Sequence, residues 1–185
     1  MEIRIDVPAG KKAEWVNGVL TLVDETPKDN RPVTERVKTF EDAVRELGEE
    51  HPLVKEWHLG DGLSADLEAY LKLRIIVAAL NEGWKPKFTT DEYRYFPWFV
   101  LYTEEEYNNL SDEDKSRVVQ RSYGISSTLG GVAYVDAYYV SSHMDSSGGS
   151  RLAFKNSDLA RYAGKQFIEI YADFVFKPKC ESDNK

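Results

Sequence analysis

The sequence predicts an α+β fold, a mainly antiparallel sheet packed against two or three helices in a single compact domain. Three observations lead there. Segments with period-two alternation, rich in β-branched and aromatic residues, occur at the N-terminus and again between 91 and 155. Stretches whose apolar residues recur every three or four positions behind capping residues lie between and after them. The 185 residues, 42% hydrophobic, suffice for one core without a disulfide or structural metal.

Taken in order, Glu2 to Val7 alternates polar and aliphatic side chains as a half-buried strand does, and Pro8-Ala9-Gly10 ends it. Val19 to Val23 is a second strand behind the Asn17-Gly18 turn signal, so 1–25 reads as a small β unit. The polar, proline-bearing run from Asp24 to Pro32 is a loop. A helical section covers 33–82. Thr39 and Asp42 form a capping box for a helix over 40–47 that stops at Gly48, and a shorter helix follows His51-Pro52. Ser64 caps the strongest helix, where Leu67, Tyr70, Leu71, Leu73, Ile75 and Ala78 belong to an apolar stripe broad enough to be covered on two sides. Asn81-Glu82-Gly83 stops it.

Aromatic antiparallel strands are expected over 91–155. Tyr93 to Tyr102 contains Pro97, which calls for a sheet edge or a bulge. Two hydroxyl-then-acid starts, at Thr103 and Ser111, make the acidic stretch 103–116 one or two exposed helical turns. Gly130-Gly131 introduces a strand from Val132 to Ser142, a turn covers 145–150, and Arg151 to Lys155 is expected to return along that strand as a hairpin. Asn156 or Ser157 then caps a C-terminal helix over 157–173, and 177–185 reads as a mobile tail, so the domain spans 1–176.

Composition excludes several function classes. With 24 Lys+Arg against 32 Asp+Glu, the net charge of -8 repels phosphate backbones and anionic lipid. No apolar run approaches the ~18 residues of a spanning helix, so no membrane partner is expected. The single cysteine, Cys180, excludes an intramolecular disulfide and fits a cytoplasmic setting. His51 and His58 are not spaced i, i+4, and His143 beside Asp145 reads as an ordinary polar turn, so no metal site is expected. No serine sits in a nucleophile elbow and no glycine-rich loop cradles phosphate, so neither cofactor nor enzymatic activity is expected.

The most suggestive feature is the strand from Val132 to Val140. Strict alternation puts Tyr134, Asp136 and Tyr138 on one face, and leaves Ala133, Val135, Ala137 and Tyr139 on a face suited to the final helix. Tyr93, Tyr95 and Trp98 could extend the first face, with Arg94, Arg121 or Arg151 available for a phosphate. The candidate binding residues are therefore Tyr134, Asp136, Tyr138, Tyr95, Trp98 and Arg151. Such a face suits a protein partner or self-association, and alternatively a nucleotide, small ligand or single-stranded nucleic acid stacked on Tyr and Trp.

The runs Leu80 to Pro86, Tyr95 to Phe99, Gly149 to Lys155 and Leu159 to Phe167, with Thr34 to Ala43, resemble a group of hypothetical proteins encoded by Bacteroidetes phages and prophages. The resemblance spans most of the chain. It implies a phage-borne protein in the bacterial host cytoplasm or the virion, and carries over no site residue. Together these readings predict a non-enzymatic, phage-associated interaction protein.

Overall fold

The computed structural model describes residues 6–16, 18–24, 29–87, 89–122, 129–140 and 150–176. The architecture is α+β with antiparallel sheets, and the chain divides into two units, 1–31 and 32–185.

The first unit is a hairpin of β1 (Lys11–Val16) and β2 (Val19–Asp24). Val16 pairs with Val19 and Trp15 with Leu20, with Gly18 between the strands at φ 78°. Of the strand expected from Glu2 to Val7, residues up to 5 lie outside the described residues, and Asp6 and Val7 belong to no strand. A tight turn pairs each strand with the residues immediately across it, so Val19–Asp24 takes Lys11–Val16 as its partner.

Among the described residues of the second unit, four helices precede a three-stranded sheet and two follow it. Helix α1 (Val33–Arg36) is a single turn after Pro32, and α2 (Phe40–Leu47) starts on the expected capping box and ends at Gly48, φ 83°. In that box Thr39 Oγ1 accepts from the Asp42 N–H at 3.1 Å, while Asp42 Oδ2 accepts from the Thr39 N–H at 2.9 Å. Helix α3 (Pro52–His58) follows, its first turn held by His51 Nδ1 accepting from the Leu53 N–H. Helix α4 (Ala65–Leu80) is the centre of the core, with Leu73, Ile75, Ile76 and Leu80 fully buried. It packs against α1, α2 and α3, which accounts for the breadth of its apolar stripe. Ser64 occupies its N-cap position but makes no capping bond; its hydroxyl instead bonds the Asp66 carboxylate, holding that group's pKa low.

The sheet has the order β3 (Arg94–Tyr102), β5 (Leu129–Val140), β4 (Val119–Ser122), all antiparallel. Pro97 lies in β3 at the edge, as its missing N–H requires. Between β3 and β4, α5 (Glu104–Asn108) and α6 (Asp112–Lys115) are the expected acidic turns, capped by Thr103 and Ser111. Gly130-Gly131 lies inside β5, not before it, because Gly131 leaves room for Val118: a Cβ there would stand 2.4 Å from Val118 Cγ1. Beyond Val140, the expected turn and strand end at 141–149 fall outside the described residues.

The return strand at 151–155 is overturned. Ser150–Leu152 is a turn of 3-10 helix, and Phe154 pairs with Tyr95 of β3, not with β5. Two sets of bonds hold it. The Phe154 N–H donates to Tyr95 O at 2.9 Å and the Tyr95 N–H returns to Phe154 O at 3.1 Å. On the other side, buried Asn81 donates Nδ2 to Ala153 O at 2.8 Å and accepts the Lys155 N–H at 3.0 Å. A side-chain amide thus takes the flanking backbone groups that a ladder would have used. Asn81→Leu, which keeps the volume but strands both groups, is expected to cost about 2–4 kcal/mol. A urea-unfolding midpoint unchanged from wild type would contradict this.

The single C-terminal helix expected over 157–173 is two, α7 (Ser157–Gln166) and α8 (Ile168–Val175), broken at buried Phe167 with φ -114° and ψ 26°. Asn156 caps the first as expected. The break lets α7 lie on β3 and β5 while α8 turns to pack on α4 and β4. On α8, the Tyr171 ring lies tilted against Phe99 with centroids 4.9 Å apart, and its buried hydroxyl has no hydrogen-bond partner among the described residues. Burial pushes this phenol well above the ordinary 10.0. A raised folded-state pKa contributes stability that is complete below pH 10 and is lost as pH rises, since only the unfolded chain then releases the proton. Tyr171→Phe is therefore expected to raise stability by about 1 kcal/mol at pH 7 and to flatten its decline above pH 10. Denaturant titrations across that range check both.

Candidate binding face

The β3–β5 ladder decides where the aromatic residues go. Trp98 pairs with Asp136, and the next residue, Phe99, pairs with Tyr134, so Val135 is an extra residue in β5. A bulge of this kind resets the alternation. Tyr134 therefore shares the face of Phe99, and Tyr138 shares that of Trp98. Ring contacts agree: Phe99 meets Tyr134 edge-on at 6.1 Å and Trp98 meets Tyr138 at 5.4 Å. The expectation that Tyr134, Asp136 and Tyr138 share one face is corrected on this ground.

Tyr134 lies under α7. A Cβ on Gly164 would stand 2.4 Å from its ring, which is how closely helix and strand approach. Lys165 Nζ sits 5.5 Å from the ring centroid. Burial raises the Tyr134 pKa, and the Asp136 charge adds to the rise. Asp136 accepts from the Ala137 N–H at 2.7 Å and from Arg161 Nε at 3.2 Å. Those bonds, the backbone one foremost, lower its pKa. The two groups are thus displaced in opposite directions, phenol neutral and carboxylate ionised at neutral pH, which suits a structural clasp between β5 and α7 more than proton transfer.

The remaining aromatic residues form a strip in contact from ring to ring. Tyr93 meets Tyr139 at 5.2 Å, Tyr139 lies against Tyr138 at 6.3 Å, and Tyr138 touches Trp98. All four are at least half exposed, Tyr139 at 57% and Trp98 at 55%. Tyr95, also expected on this face, is half-buried, packed against the core and bridged to Phe154. Tyr139 pairs with Tyr95, so alternation keeps it on the side opposite Tyr138 and Trp98, and its ring joins the strip through its contacts with Tyr138 and Tyr93 close to the end of the ladder.

Two of the arginines expected beside the aromatics, Arg94 and Arg151, are elsewhere. Arg94 is 2% exposed and donates to Lys87 O at 3.0 Å, so it is not available to a phosphate. Arg151 lies on the 3-10 turn and lines a separate cleft with Trp84 and Lys85. The Arg121 side chain, His143 and Cys180 fall outside the described residues. Among the described residues, no three His, Cys, Asp or Glu side chains gather as they would around a metal ion. No described helix is long and apolar enough to cross a membrane. No family model matches the chain, and neither a curated protein nor a solved structure matches it.

Proposed function

We propose that this chain is a non-enzymatic binding protein that docks a protein surface, a second copy or another protein, through the Tyr93, Tyr139, Tyr138 and Trp98 strip. In the phage setting that its resemblance implies, it would act in the host cytoplasm or the virion. The observation that carries the reading is the strip itself: four half-exposed rings in contact one to the next, three of them on the β3–β5 ladder. Tyr and Trp side chains give large contact area at low entropic cost and are enriched where protein interfaces are tightest. A protein surface is favoured over nucleic acid because, of the arginines expected to serve a phosphate, the two whose side chains are described are not at the strip: Arg94 is buried and Arg151 lines a different cleft.

Sedimentation velocity over a wide concentration range tests self-association, and a photoreactive residue at position 98 in producing cells tests a foreign partner. The expected result is an oligomer, or a defined cross-linked protein, that disappears with Tyr138→Ser. A monomer at every concentration that cross-links to nothing overturns the reading. Quenching of Trp98 by oligonucleotides would shift the assignment to the nucleic-acid alternative.

A further inference from the structure

We propose that the cleft between the C-terminal end of α4, the start of α3 and the 3-10 turn binds a flat, largely apolar organic anion. The cleft holds about 510 Å³, within the usual range for small-molecule sites. Pro52, Trp84 and Pro86 give it an apolar wall with one aromatic ring, suited to a planar body. Its charge is one-sided: Arg74, Lys85 and Arg151 line it, and none of the described lining residues is Asp or Glu, in a chain of net charge -8.

The cations differ in availability. Arg74 is committed to Glu56 at 2.7 Å. Lys85 and Arg151 are exposed, and neither has a hydrogen-bond or ion-pair partner among the described residues. Asn81 is buried, and it spends one Nδ2 hydrogen on Ala153 O and its Oδ1 on the Lys155 N–H. His51 uses Nδ1 on the Leu53 N–H, which leaves Nε2 as its remaining ring nitrogen. Low-dielectric walls carrying one sign of charge concentrate the opposite sign, so an anion is the complementary occupant. The site shares no residue with the aromatic strip, and stands or falls separately from it.

Calorimetric titration of the full chain at low salt, with 2-naphthoate, 2-naphthyl phosphate and the neutral 2-naphthamide, tests the proposal and separates carboxylate from phosphate preference. At least one anion should bind saturably and about tenfold or more tighter than the amide. Arg151→Gln and Lys85→Gln should each weaken it about tenfold, with thermal midpoints unchanged because both side chains are exposed. Trp98→Ser should bind as wild type does. No saturable binding up to millimolar ligand, equal binding of anion and amide, unchanged affinity in both charge variants, or loss of binding in Trp98→Ser would each overturn it.

Discussion

Replacing Phe154 by alanine is expected to destabilise the second unit by about 3–5 kcal/mol. Its side chain is fully buried within the main core, which also includes Leu73, Ile76, Leu80 and Tyr95. The substitution leaves the backbone bonds to Tyr95 possible, since both belong to N–H and C=O groups that alanine also carries. What is lost is contact with the surrounding side chains, together with the void that a close-packed interior fills only in part. Phe154→Leu, which keeps most of the volume, should cost less than half as much. Guanidinium unfolding followed by far-ultraviolet circular dichroism measures both, and a cost below about 1 kcal/mol for the alanine variant would show that this bridge is peripheral to the core.

Gly164→Ala is expected to destabilise by about 1–3 kcal/mol, although the same exchange inside an exposed helix ordinarily gains close to 1 kcal/mol. The sign reverses because the new methyl group would stand 2.4 and 2.7 Å from the Tyr134 ring and 2.8 Å from Pro97 Cβ. The ring cannot swing aside freely, with Phe99 at its edge and Lys165 over its face. A double-mutant cycle isolates the clash: in a Tyr134→Ala background, Gly164→Ala should lose at least 1 kcal/mol of its cost, the contact with Pro97 remaining. Additive effects of the two substitutions would mean that α7 and β5 do not meet at this point. The outcome also bears on the bulge, because only the reset alternation after Val135 turns Tyr134 toward Gly164.

The contrast between these residues shows what a linear reading reaches. Thr39, Thr103 and Asn156 were legible as caps because each bonds a backbone group three residues on, a distance over which spacing carries the information. Pro97 announced an edge strand for the same local reason. Arg151 to Lys155 has a strand-like composition, and nothing within it reveals that Asn81, more than seventy residues earlier, takes the flanking backbone groups. The break at Phe167 likewise answers two packing partners, the sheet for α7 and α4 for α8, that periodicity does not encode. The candidate face suffered most. One inserted residue at Val135 inverted the side on which Tyr134 lies, and alternation, exact within a regular strand, has no memory across a bulge. Trp98 and Tyr138 stayed together because both lie on the same side of it.

The Asn81 amide also orders events in time. Its bonds close loops of 72 and 74 residues, whereas the caps of α2, α5 and α7 close only a few. Closing a loop of that length costs more chain entropy than closing a helix cap, and Ala153 and Lys155 flank Phe154, whose bridge to the β3 edge helps to place them. The Asn81 bonds are thus expected to form late in assembly and to break early in disassembly. Substitutions at Asn81 should leave the refolding rate nearly unchanged and show themselves in faster unfolding, which shortens the time the folded second unit persists.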